Sequence, residues 1–166
     1  IQHDLSDFVE LPVISLRAGG DLLVTAGERT AIEAVVDEED PNVIIADDQI
    51  SIETSGDLRI HLPTGASLSL DAGGDANVQR SLGAIQINAV GGDLNIEEAL
   101  AVQFRNVGGD LRVARASALA GQNVGGSVTA DDSGAVELKQ VGGDLTVRKA
   151  ESVSCSRVGG DADEHR

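Results

Sequence analysis

An acid or hydroxyl follows a pair of small residues again and again in this sequence. It does so at Asp75, Asp93, Asp110, Ser127, Asp144 and Asp161, with Asp21 and Asp57 in the same phrase upstream. Carboxylates that recur at one point of a repeat have two chemistries open to them. They can accept hydrogen bonds from backbone N–H groups at their own corner, as Asx turns do. They can also supply oxygens to a hard cation such as calcium. If the repeats stack, neighbouring carboxylates lie ~4.8 Å apart. Each pair then repels by about 0.9 kcal/mol in bulk water and about 3.5 kcal/mol at an effective dielectric of about 20. Such a column has to be solvated, hydrogen-bonded or bridged by cations. Asp75, Asp93, Asp110 and Asp144 are therefore candidate calcium ligands, and Asp37 to Asp40 form a second acidic cluster. The calcium-binding nonapeptide pattern is not met, because each Asp follows its glycine pair directly.

Other chemistry is sparse. His3, His61 and His165 are far apart, and no His, Cys or Asp set has metal-ligand spacing. No Ser/His/Asp grouping is identifiable, and the glycine pairs do not lead into helices that could cradle phosphate. The expectation is a protein that is not an enzyme. Cys155 is the single cysteine. It cannot form an internal disulfide, and it falls in an apolar column where it serves as a small hydrophobe.

The elements that place these residues follow from one phrase. Val-Gly-Gly-Asp-Leu or a close variant begins at Val90, Val107, Val124, Val141 and Val158, so the first glycine recurs in steps of 17, at Gly91, Gly108, Gly125, Gly142 and Gly159. A fixed step of this size marks a repeat architecture. Counting from that glycine, the fourth place holds Leu94, Leu111, Val128 and Leu145, and the sixth holds Ile96, Val113, Ala130 and Val147. The twelfth, fourteenth and seventeenth places are also mostly apolar; the fourteenth reads Phe104, Gly121, Leu138, Cys155. Apolar residues two apart, with polar residues between, have the period of a strand with one buried face. The corner pairs Gly91–Gly92, Gly108–Gly109, Gly125–Gly126 and Gly142–Gly143 suit a backbone that takes positive φ. Asn106, Asn123 and Gln140 share an outward column and read as a stacked amide ladder.

A unit of this length cannot bury enough surface to offset ordering costs of about 1–2 kcal/mol per residue. Stability has to come from stacking one unit on the next. The expected fold is all-β: a parallel β-solenoid, or β-helix, of about nine coils of 17–18 residues. Residues 1–18 are assigned to an N-terminal lead-in or cap, 19–161 to the solenoid and 162–166 to a frayed end. The nine coils include two steps of 18 between Gly20 and Gly56.

Composition agrees. The chain has 166 residues, 41% hydrophobic, with Phe8 and Phe104 as its only aromatics, so Val, Leu, Ile and Ala must fill the core. A formal net charge of −16 argues against nucleic acid and anionic membrane surfaces as partners. No apolar run is long enough for a transmembrane helix, so direct membrane insertion is not expected.

The phrase Gly-Asp-apolar-x-apolar, and especially the run from Ser55 through Leu62-Pro63-Thr64-Gly65-Ala66 to Leu68, resembles the bacterial putative-adhesin family of repeat domains of unknown function. The resemblance covers about Val13 to Gly160. It implies a right-handed β-solenoid associated with the cell envelope or exterior, with the cytoplasm as the alternative, and it brings no catalytic residues. The double glycine and the tight step depart from that family's looser spacing. Two functions remain in contention. One is a structural scaffold that self-associates as a homo-oligomer or polymer, end to end into filaments or a cell-surface layer. The other is an adhesin-like module that binds protein or glycan on a flat face. A polysaccharide-lyase-like enzyme ranks behind both.

Overall fold

A computed structural model of the protein describes residues 2–4, 13–27, 31–36, 42–45, 49–63, 67–80 and 83–165. Every regular element among them is a strand. The N-terminal part holds β1 (Gln2–Asp4), β2 (Val13–Ala18), β3 (Leu22–Gly27), β4 (Ala31–Val36) and β5 (Asn42–Ile45). Next come β6 (Gln49–Thr54), β7 (Leu58–Pro63), β8 (Leu68–Ala72), β9 (Ala76–Gln79), β10 (Ala84–Val90) and β11 (Leu94–Ile96). The regular part continues with β12 (Ala99–Val107), β13 (Leu111–Val113), β14 (Ala116–Val124) and β15 (Val128–Asp131). It ends with β16 (Ser133–Val141), β17 (Leu145–Arg148), β18 (Ser152–Val158) and β19 (Ala162–His165).

The strands form two sheets of ten and nine strands. Each layer of the stack gives one strand to each sheet, and the two are joined by the glycine corner. The long strands of the nine-strand sheet bend where two outward residues are adjacent, as at Arg105–Asn106 between buried Phe104 and Val107. One layer thereby sends six side chains inward: Leu94, Ile96, Ala99, Val102, Phe104 and Val107 are all at most 5% exposed. The columns are continuous from layer to layer. Leu94, Leu111, Val128 and Leu145 are successive Cα partners, and Val113 and Val147 lie in the next column, on either side of Ala130. The all-β parallel solenoid expected from the repeat is what the pairing shows.

Three details depart from expectation. First, the parallel layers number eight among the described residues. Six of them, from β8–β9 to β18–β19, follow chain order. The steps counted between Gly20 and Gly56 contain β4 and β5 instead of a ninth coil. These two strands run antiparallel to β7 and β6, and β1 adds antiparallel to β4. Antiparallel strands laid over the first layer cover the edges it would otherwise leave unpaired.

Second, the stacking order is not the chain order. The β2–β3 layer lies between β6–β7 on one side and β8–β9 on the other. Gly20 N–H donates to the Gly56 carbonyl at 3.1 Å, so those 36 residues span a single layer step. Arg17 records the same arrangement. It reaches Glu53 at 3.4 Å and Asp71 at 3.5 Å, acids from the layers on either side of it. The solenoid therefore begins at Val13, with β2 inside the stack.

Third, residues expected to fray at the C-terminus carry β19, which pairs parallel with β17. The 18-residue step from Gly73 to Gly91 is taken up at Asn88, where β10 shifts register against β8.

Candidate functional site

The recurrent acids do form one column, in the spatial order Asp57, Asp21, Asp75, Asp93, Asp110, Ser127, Asp144, Asp161. Each Asp except Asp161 uses Oδ1 to accept the backbone N–H of the residue at the same place in the next layer. The distances are 2.8 Å from Asp57 to Asp21, 2.9 Å from Asp21 to Asp75 and 2.8 Å from Asp75 to Asp93. They continue at 2.8 Å from Asp93 to Asp110, 2.7 Å from Asp110 to Ser127 and 2.9 Å from Asp144 to Asp161. Ser127 makes the same bond to Asp144 through its hydroxyl at 3.1 Å. The hydrogen-bond alternative thus describes the column, with one change. The donor belongs to the neighbouring layer and not to the residue's own corner. The side chain is a vertical stitch.

For the calcium candidates Asp75, Asp93, Asp110 and Asp144, this geometry commits one oxygen of each to an N–H. Among the described residues, no three His, Cys, Asp or Glu side chains gather as a metal-binding group. The acidic run Asp37 to Asp40 lies outside the described residues.

The glycine corners serve a purpose other than positive φ. None of them takes a left-handed φ; the described non-glycine residues that do are Arg80, Asp132 and Lys149, at the opposite corner. What excludes a side chain is the neighbouring layer. A Cβ on Gly108 would overlap the carbonyl oxygen of Gly91, and Gly125 and Gly142 meet Gly108 and Gly125 in the same way. At the second glycine, a Cβ on Gly92, Gly109 or Gly126 would overlap Oδ1 of Asp75, Asp93 or Asp110. A Cβ on Gly143 would stand 2.6 Å from the Ser127 hydroxyl. Glycine pair and acid are therefore one device: the absent side chains let the corner stack closely enough for the stitch to reach. Gly91 stands over Gly73 in the same relation.

The predicted core residues sit in the interior, with Cys155 the exception. It pairs with Leu138 in the column but is half-covered, since β18 is the terminal described strand of its sheet. The amide ladder is present where Asn123 Nδ2 donates to Asn106 Oδ1 at 3.0 Å. Two features escaped sequence reasoning. One is a further buried column, Ala99, Ala116, Ser133 and Ala150, whose small residues carry no hydropathy signal. The other is a trough of about 630 Å³ on the outer face of the nine-strand sheet. One wall is the row Gln86, Gln103, Ala120, Glu137, Ser154; the other is Asn88, Arg105, Gln122, Lys139, Ser156. The signal for the trough was in the sequence, as the outward thirteenth and fifteenth places of each repeat.

No family model matches the chain, and no curated protein matches it. Among solved structures it is similar to the crystal structure of a putative adhesin from Parabacteroides merdae. The match covers 100% of this chain and 95% of that one, at 14% identity and a TM-score of 0.38. The β-solenoid assignment rests on the strand pairing itself.

Proposed function

We propose that this chain is a non-catalytic structural scaffold that self-associates through the layer formed by β18 and β19. The observation that carries this reading is the open strand edge at the β18–β19 end of the described stack. Antiparallel β1, β4 and β5 lie over one end. At the other, β18 and β19 are the terminal strands of their sheets, and Val153, Cys155 and Val158 are only partly covered. A strand edge beside half-covered apolar side chains is a surface onto which another strand can add. At the other end β5, the terminal strand of the nine-strand sheet, also has an edge, with half-buried Val43 beside Ile44, which is 56% exposed. The arrangement we propose is two β18–β19 layers meeting edge to edge about a two-fold axis. The acids that could otherwise be assigned chemistry are engaged in stitching layers together, which supports a structural role.

Sedimentation velocity on the purified chain tests this. The expected result is a dimer whose population grows with protein concentration and with salt, since salt screens repulsion between two strongly acidic copies. Val158→Asp should give monomer, whereas Leu100→Asp, at an exposed apolar position on the side of the stack, should leave the dimer intact. A monomer at all concentrations overturns the proposal.

A further inference from the structure

The outer face of the nine-strand sheet has a charge balance unlike that of the whole chain. From β10 to β18 its outward places carry Arg105, Lys139 and Arg157 against Glu137 alone, in a protein of formal net charge −16. The stitched Asp column lies at the glycine corner, off this face. Within the trough, Arg105 and Lys139 stand in one wall two layers apart, with Gln122 between them. Parallel pairing carries the chain from β12 through β14 to β16, so their separation is about 9.6 Å, twice the interstrand spacing. Neither is in a described ion pair; those involve Arg17 and Arg148. Besides Glu137, the rest of the two walls is amide, hydroxyl and the small Ala120, while the floor between them is Ile87, Phe104, Gly121 and Leu138.

We infer that this trough binds an acidic oligosaccharide, a chain of linked hexuronic acids laid along the solenoid axis. Arg105 and Lys139 take carboxylates two sugar rings apart, and Asn88, Gln103 and Gln122 exchange hydrogen bonds with ring hydroxyls. The spacing of the two cations is on the order of the length of two linked pyranose rings, so alternate carboxylates face them. A volume of about 630 Å³ suits a short oligomer. An extended acidic peptide fits less well. Peptide recognition of that kind uses a free strand edge or apolar side-chain pockets. Here the strands lining the trough from β10 to β16 are paired on both sides, and Phe104 and Leu138 turn inward. Glu137 stands in the opposite wall from Lys139, in the same layer, and opposes an anion there.

Isothermal titration of the intact chain with an unesterified galacturonic acid hexamer tests the inference, with maltohexaose and hexaglutamate as comparison probes. Galacturonate binding that weakens with salt is expected, with little binding of the other two. Arg105→Ala and Lys139→Ala should each lower affinity by about tenfold or more, the loss expected for a charge-assisted hydrogen bond. Glu137→Gln should raise affinity. All three positions are exposed, so melting temperature should hold and separate a binding defect from unfolding. Absence of galacturonate binding overturns the site. Equal binding of maltohexaose, tighter binding of hexaglutamate, or indifference to all three substitutions does so as well. Ser154 and Ser156 of β18 close one end of the trough, so the titration is repeated on Val158→Asp; binding that persists in that variant separates the site from the oligomeric state.

Discussion

One carboxylate oxygen per layer carries the vertical connection at the glycine corner. Ser127 is a natural control for what the charge adds. Its neutral hydroxyl holds the Asp144 N–H at 3.1 Å, while Asp110 holds the Ser127 N–H at 2.7 Å. Shortening of this kind is expected when the acceptor is ionised. Asp110→Ala leaves an exposed N–H that water can reach, so the expected loss is about 0.5–1.5 kcal/mol and not that of a buried orphan. Asp110→Ser should cost less, because the column already tolerates Ser at the next layer. Urea denaturation of the three proteins measures both. The same geometry bears on calcium. An oxygen that already receives an N–H faces the positive end of a dipole, so melting temperature should be equal in EDTA and in millimolar calcium. A rise in calcium that EDTA reverses would reassign the column as a cation site.

At the scale of the strand, the solenoid manages with small residues because its layers compensate one another. Phe104 is the one large ring inside the described core, and its Cα partner in the next layer is Gly121. A Cβ there would overlap the ring. The gap in the column at Gly121 is thus filled from the layer before it. Gly121→Ala should destabilise by about 1–3 kcal/mol through overpacking. Phe104→Leu leaves a void in an otherwise native chain, yet in the Gly121→Ala background it should recover part of the loss. A double-mutant cycle by thermal or denaturant unfolding reads that coupling; strict additivity would show that the two residues do not share the space. This pair also marks how far the sequence could be read. The strand period, the inward Leu and Val columns and the glycine corners were visible in the spacing of the repeat; the opposite corners at Arg80, Asp132 and Lys149 were not. The reason for the glycines was not, because it lies in a contact with a neighbouring layer that no local rule encodes. Ser55 shows the logic. It occupies the first-glycine place of the β6–β7 layer, and Gly19 stacks on its carbonyl, so Ser55 heads the series of corners.

At the scale of the whole molecule, the order of the layers was hidden by the same periodicity that revealed them. A strand in the right phase fits beside any other strand in that phase, and the columns of β2, β6 and β8 are alike: Ile14, Ile50 and Leu68 are all buried, as are Leu16, Ile52 and Leu70. Hydropathy therefore cannot say which two are neighbours. Charge does better, since Arg17 between Glu53 and Asp71 satisfies two acids that would face each other if the 13–27 layer stood outside. Exposed pairs of this kind contribute little stability individually, but they discriminate between arrangements that the core treats as equal. Cysteine pairs introduced on a Cys155→Ser background test the order directly. Ser15 is a Cα partner of both Ser51 and Ser69. Ser15→Cys with Ser69→Cys should cross-link under mild oxidation, as should Ser15→Cys with Ser51→Cys, because neighbouring strands place Cα atoms within about 4.4–6.8 Å. Ser51→Cys with Ser69→Cys spans two layers, about 9.6 Å, and should stay reduced. A stack in chain order predicts the reverse for two of these pairs: Ser51 with Ser69 would close, and Ser15 with Ser69 would not.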